Sequence, residues 1–153
     1  MSALKIKIDE DFGKEYSLIG ISCHLKDYRL IYSINKALNC DLKKYDDLII
    51  YPVKGKKENS FSFYSFSEDF IEYYIISNRN PDGLLISEQK QIDYIFVLRG
   101  QIDKKKEKSI LGSIRKIPSV LTAFEISIDT VRNLNVILSD LELHQLKIRK
   151  ENK

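Results

Sequence analysis

The apolar residues of this chain change period twice, and nothing else in the sequence constrains the fold as strongly. From Lys26 to Asn39, Leu30, Ile34 and Leu38 recur every four residues with Tyr28 and Ile31 beside them, and from Lys104 to Ile117 the apolar set is Ile110, Leu111, Ile114 and Ile117. That spacing puts one stripe on one side of a helix, whereas a half-buried strand alternates. Both segments carry end signals. Asp27 opposes the dipole in the first turn and Asn39 suits a C-terminus; Asp103 can cap the second helix and Pro118 stops it.

Elsewhere the pattern is that of strands. Leu4, Ile6 and Ile8 alternate with lysines, and Tyr16 to Cys23 is an apolar, β-branched run of central-strand length. A strand from Asp47 to Val53 meets Pro52, which marks an edge or an end, and Lys54 to Asn59 reads as a turn. In the next strand Phe61, Phe63 and Ser65 fall on one face and Ser62, Tyr64 and Phe66 on the other. Phe70 to Ser77 follows, then a reversal at Pro81-Asp82-Gly83. Gln91 to Leu98 ends at Arg99-Gly100, and Val120 to Ile126 closes the series. This order predicts an α+β domain, a single largely antiparallel sheet with two main helices on one face, broadly ferredoxin-like.

The C-terminal segment is ambiguous. Val131, Leu134, Leu138, Leu141 and Ile148 follow a seven-residue pattern broken by Gln145, while Leu134, Val136 and Leu138 alternate like a strand. A helix beginning near Asp129-Thr130 is the preferred reading. It runs into Lys147, Arg149, Lys150 and Lys153, so residues 139–153 are expected as a mobile basic tail with His144 solvated.

With 153 residues, the chain is the size of one domain, here 1–153. Twenty-five basic residues against 22 acidic leave +3, too slight for a constitutive polyanion binder without a local cluster. Lys5, Lys7, Asp9 and Glu10 interrupt the first apolar positions, and no uncharged run approaches the roughly 18 residues that span a bilayer. The expectation is a cytoplasmic protein without a membrane partner. Cys23 and Cys40 as the whole cysteine complement suit a reducing compartment.

At Ile86-Ser87-Glu88-Gln89-Lys90-Gln91-Ile92-Asp93-Tyr94 the sequence resembles the signature of the IPExxxVDY family of small bacterial proteins, with Ser87 in place of the Pro and Ile92 in place of the Val. The likeness extends to Leu18-Ile19-Gly20-Ile21 with Asp27-Tyr28-Arg29-Leu30, and to Ile114-Arg115-Lys116-Ile117-Pro118-Ser119-Val120, roughly residues 16 to 126. The resemblance implies no activity, cofactor or catalytic residue. Read physically, the block is an approach into a strand, in which Asp93 pins a neighbouring loop and Tyr94 packs with its hydroxyl at the rim; the alternative is that Glu88, Asp93 and Tyr94 form a contact surface.

Familiar catalytic sets are missing. Cys23 and His24 are adjacent, so in an extended segment they point to opposite faces, and Cys40 lies about 14 helical residues, roughly 20 Å, away. Asp46-Asp47 and Glu68-Asp69 lack an identifiable general-acid partner, and the six glycines form no phosphate-binding or nucleophile-elbow motif. No catalytic residue, metal or cofactor is expected. The best-supported function is a non-catalytic interaction or assembly module binding a protein partner or itself, through Glu88, Asp93 and Tyr94 or through Phe61, Phe63, Tyr64 and Phe66. One alternative is weak single-stranded RNA binding, those aromatics stacking bases beside Lys54, Lys56 and Lys57. The other is a small enzyme whose site gathers dispersed residues.

Overall fold

The computed structural model describes residues 16–51, 58–68 and 70–151. The chain order is β1 (Tyr16–Cys23), α1 (Asp27–Leu38), β2 (Lys43–Ile50), β3 (Asn59–Glu68), β4 (Ile71–Ser77), a short hairpin of β5 (Arg79–Asn80) and β6 (Gly83–Leu84), β7 (Tyr94–Arg99), α2 (Lys104–Arg115), β8 (Val120–Ile126) and α3 (Leu134–Glu151). Among the described residues the main sheet has six strands in the order β2-β3-β4-β7-β1-β8, antiparallel throughout. It is an α+β fold, with three α-helices among the described residues.

The helix ends obey the local chemistry. Asn39 closes α1 in the left-handed region at φ 53°, its N–H reaching the Asn35 carbonyl. Asp103 caps α2 by accepting the Lys106 N–H at 2.7 Å. Leu30, Ile31 and Ile34 of α1 and Ile110, Leu111 and Ile114 of α2 share a buried cluster with Ile19, Ile21, Ile75 and Phe96 of the sheet. Tyr28 is not part of that stripe, because it turns outward and is exposed.

Alternating residues of the same strands, Leu18, Phe61, Phe63, Tyr74, Ile95 and Val97, form a second cluster with Ile137, Leu138, Leu141 and Ile148 of α3. That face is therefore covered. Residues 139–151, expected as a tail, continue α3. His144, expected in solvent, is buried: its Nε2 donates to the Asp46 carbonyl at 2.8 Å and its ring meets Phe63 edge-on at 4.8 Å. Gln145, the break in the heptad, is buried as well and reaches Ser65 Oγ at 3.4 Å.

Two strand starts differ from expectation by three residues or more. β2 starts at Lys43, four residues early, and carries a register irregularity between Tyr45 and Leu48 opposite β3. β7 starts at Tyr94 because Gln91 to Asp93 belong to an excursion clamped from outside the ladder. At the β8 edge, the Ile21 carbonyl is taken by the Asp93 N–H at 2.9 Å, so the backbone polar groups of Ile21 point to β7 and those of its β8 partner Ala123 point to the open edge, the Ala123 side chain staying buried. Arg115 Nε donates to that Ala123 carbonyl at 2.8 Å, which blunts the open edge.

Candidate functional site

The sequence directs attention first to residues 86–94. Asn78, fully buried, clamps this excursion: its Nδ2 donates to the carbonyls of Gln89 (3.1 Å) and Ile92 (2.9 Å), and its Oδ1 accepts the Ile86 N–H at 2.8 Å. Asp93 accepts the Cys23 N–H at 2.9 Å and Arg79 Nε at 2.9 Å, tying the end of β1 to the β5–β6 hairpin. Arg79 also donates to the Lys90 carbonyl. Tyr94 donates to the Leu25 carbonyl at 2.8 Å, and burial pushes its hydroxyl up to about 12. Glu88, on the surface, accepts the Ser87 hydroxyl at 2.6 Å and the Arg132 N–H at 3.0 Å, and both hold its carboxyl below the usual range. These polar side chains hold loops together.

The aromatic strand is interior. Phe61 and Phe63 lie beneath α3 and Tyr64 lies on the other face, all three buried. Tyr64 donates to Asp27 Oδ2 at 2.8 Å, and Phe66, half-buried, packs on Tyr73 at 5.8 Å between centroids. None of the three buried rings is placed to stack a base. Lys54, Lys56 and Lys57 lie outside the described residues. Cys23 is buried while His24 is exposed, as opposite faces of an extended segment require. Cys40 donates to Asn35 Oδ1 at 3.4 Å, and burial raises its thiol to about 11, away from nucleophilic character.

A different place gathers converging polar groups. At one end of the sheet, the β3–β4 turn, the end of β7 and the flank of α3 enclose an open cleft of about 1070 Å³ lined by residues including Glu68, Phe70, Glu72, Arg99, Gln101 and Arg149. Its floor is a bonded network. Glu72, with 13% of its side chain exposed, accepts from Arg99 Nη1 at 2.8 Å, from the Tyr74 hydroxyl and from Arg149. Arg99 Nη2 reaches Glu142 Oε1 at 2.8 Å, and that same oxygen accepts the Tyr16 hydroxyl at 2.5 Å. Burial alone would push the Glu72 carboxyl up; the Tyr74 hydroxyl and the Arg99 guanidinium, with the charge of Arg149, outweigh it and hold the carboxyl below its ordinary range. Burial and the neighbouring carboxylate raise Tyr74 in turn.

The floor is thus charge-balanced and rigid, while the lip is different. Phe70 is fully exposed and sits at φ 67°, and opposite it the chain leaves β7 through Gly100 at φ 123°. An aromatic residue at positive φ is an outlier that a tight turn must enforce. Such a cleft can receive polar groups against Glu68 and the half-exposed Arg149, and an apolar group against Phe70.

The sequence reading missed Phe70, Asn78, Tyr16, Glu72, Arg99, Glu142 and Arg149. Among the described residues no group of three His, Cys, Asp or Glu side chains is placed to hold a metal, and no helix is long and apolar enough to cross a membrane. No protein-family model matches the chain, and no curated protein matches it.

Proposed function

We propose that the chain is a non-catalytic interaction or assembly module, binding a protein partner or a second copy of itself. The observation that carries this reading is Phe70: its ring is fully exposed, and its backbone holds a conformation that costs roughly 1–3 kcal/mol, with no burial to offset it. It stands over a floor already ordered by Glu72, Arg99 and Glu142, so a partner seated there meets a preformed surface. Aromatic and arginine side chains are the commonest anchors of such contacts. Tyr28 and Tyr32, both exposed and four residues apart on α1, supply a second aromatic patch.

Kinship with the IPExxxVDY family belongs to the same reading, supported by the residues of the 86–94 block, as does a cytoplasmic setting, supported by two free cysteines. A ferredoxin-like core is supported by the strand order β8-β1-β7-β4 with α2 crossing from β7 to β8, while α1 crosses from β1 to β2 and the chain enters β4 through the added strands β2 and β3.

The test is affinity capture from native lysate with and without nuclease, on the wild-type chain and on Phe70→Ser. A protein retained after nuclease, and lost in the variant at unchanged melting temperature, is the expected result. Equal retention by both chains sinks the reading of Phe70 as anchor, and retention abolished by nuclease points to nucleic acid instead.

A further inference from the structure

Helix α3 is apolar on two sides, and the sheet uses only one of them. At about 100° per residue, Ile137, Leu138, Leu141 and Ile148 project together onto the buried face. The opposite line carries Val136, Leu143 and Lys150, spaced by seven, with Ser139 and Leu146 on one shoulder and Asp140 and Lys147 on the other. Along it Val136 is 44% exposed, Leu143 44% and Leu146 53%. Among the described residues Leu143 borders a small cleft with Ile49 and Tyr51, and all three apolar side chains keep a large exposed area.

The charges say what that row fits. Asp140 precedes Leu143 by three residues and Lys147 follows it by four, on the same shoulder. Two copies of α3 packed antiparallel, with a two-fold axis between positions 143 and 144, bring Asp140 of each against Lys147 of the other and set the leucines between them. This is the pairing of flanking positions in an antiparallel coiled coil, and an isologous interface demands that kind of self-complementarity. A parallel pairing instead sets Lys150 against Lys150. The shoulder is also held in place: Asp140 accepts the Tyr51 N–H at 3.1 Å and Lys147 Nζ donates to the Tyr51 hydroxyl at 3.0 Å, which lowers the ordering cost of a contact there. Beyond the other shoulder, on the flank of the helix, Glu142 and Arg149 repeat the acid–base spacing of seven, and both are already bonded to the network around Arg99 and Glu72.

We propose that the outer row of α3, Val136, Leu143 and Leu146 flanked by Asp140 and Lys147, is the docking surface for a second copy of this chain, the two helices running antiparallel about a two-fold axis. This rests on the assembly reading and names its partner and its surface.

Sedimentation equilibrium of the full chain, from about 1 µM to about 1 mM, tests it on wild type, Leu143→Asp, Asp140→Lys, Lys147→Asp and the double charge exchange. Wild type is expected to dimerise. Leu143→Asp should weaken the dimer about 30-fold or more, since the substitution enters the centre of the interface twice. Each single charge reversal should weaken it about five- to 30-fold, and the double exchange should return to within about threefold of wild type. Melting curves at dilute, monomeric concentration must stay unchanged for Leu143→Asp and fall only slightly, through the lost Tyr51 bonds, for the charge variants, which separates assembly from folding. A wild type that remains monomeric throughout, a dimer indifferent to Leu143→Asp, or a double exchange no better than the singles overturns the proposal. Capture that depends on Phe70 would survive any of these results, so the two readings fail separately.

Discussion

The carbonyl oxygen of Phe70 occupies the place where a side chain at Gly100 would begin: a Cβ built on Gly100 lies 2.6 Å from it. Backbone cannot swing aside as a side-chain tip does, and Gly100 sits at φ 123°, a region that side chains disfavour. Gly100→Ala is therefore expected to cost about 1–3 kcal/mol. Urea unfolding should show a lower midpoint at an unchanged slope. A midpoint equal to wild type would mean that the two turns do not approach as described.

Phe70 gives the opposite sign. Its ring is in solvent and its φ is 67°, so Phe70→Gly removes strain without opening a cavity and should raise stability by about 1 kcal/mol. A loss of about 3–5 kcal/mol, the signature of a core aromatic, would show that the ring is buried.

Asn78 predicts a large effect from one small polar residue. Replacing it with Ala leaves the Ile92 carbonyl and the Ile86 N–H without these partners, while the Gln89 carbonyl keeps only the Ile92 N–H, at about 2–4 kcal/mol in total. Hydrogen exchange should localise the damage: the Ile86 amide should lose protection before the amides of β1. Uniform loss across the sheet would argue against a local clamp.

The aromatic strand separates fold from binding. Phe61→Ala and Phe63→Ala should each cost about 3–5 kcal/mol, because both rings are enclosed beneath α3. Phe66→Ala, half-buried beside Tyr73, should cost less. RNA binding that disappears in Phe63→Ala while the melting curve stays unchanged would contradict the interior placement.

Acid should find the Glu72 network. Its folded carboxyl titrates below the ordinary value, so the stability it contributes is complete above about 4.3, the unfolded reference, and is lost as pH falls through the lower folded value. Glu72→Gln should be less stable at neutral pH and show a shallower decline in acid. Parallel pH profiles for the two proteins would remove Glu72 from that role.

How much of this was legible in sequence depends on the range of the interaction. Asp103 and Asn39 announce helix ends because caps act within a few residues, and β8 was readable from Val120 to Ile126 because Pro118 and the apolar run bracket it. The C-terminal helix was harder because α3 carries apolar residues on both sides and a buried Gln145 within its inward row, which blurs its period. The cleft left no trace. Arg99 meets Glu72 and Glu142 only after the chain has folded, and side chains so far apart in sequence share no local pattern. Asn78 looks like any turn residue until its three bonds are seen.

The sheet order has a consequence for how the chain is made. β1 lies between β7 and β8, so the strand that leaves the ribosome first among those described is flanked only by strands made much later, residues 94–99 and 120–126. Until then Leu18, Ile19 and Ile21 belong to an apolar ribbon with two unsatisfied edges, while β2, β3 and β4 can already pair as neighbours in sequence. Closure across so long a stretch is slow, and the waiting strand is the natural target of a chaperone that recognises extended apolar segments. A nascent chain stalled before residue 120 should be held by such a factor, and one released past residue 126 should not.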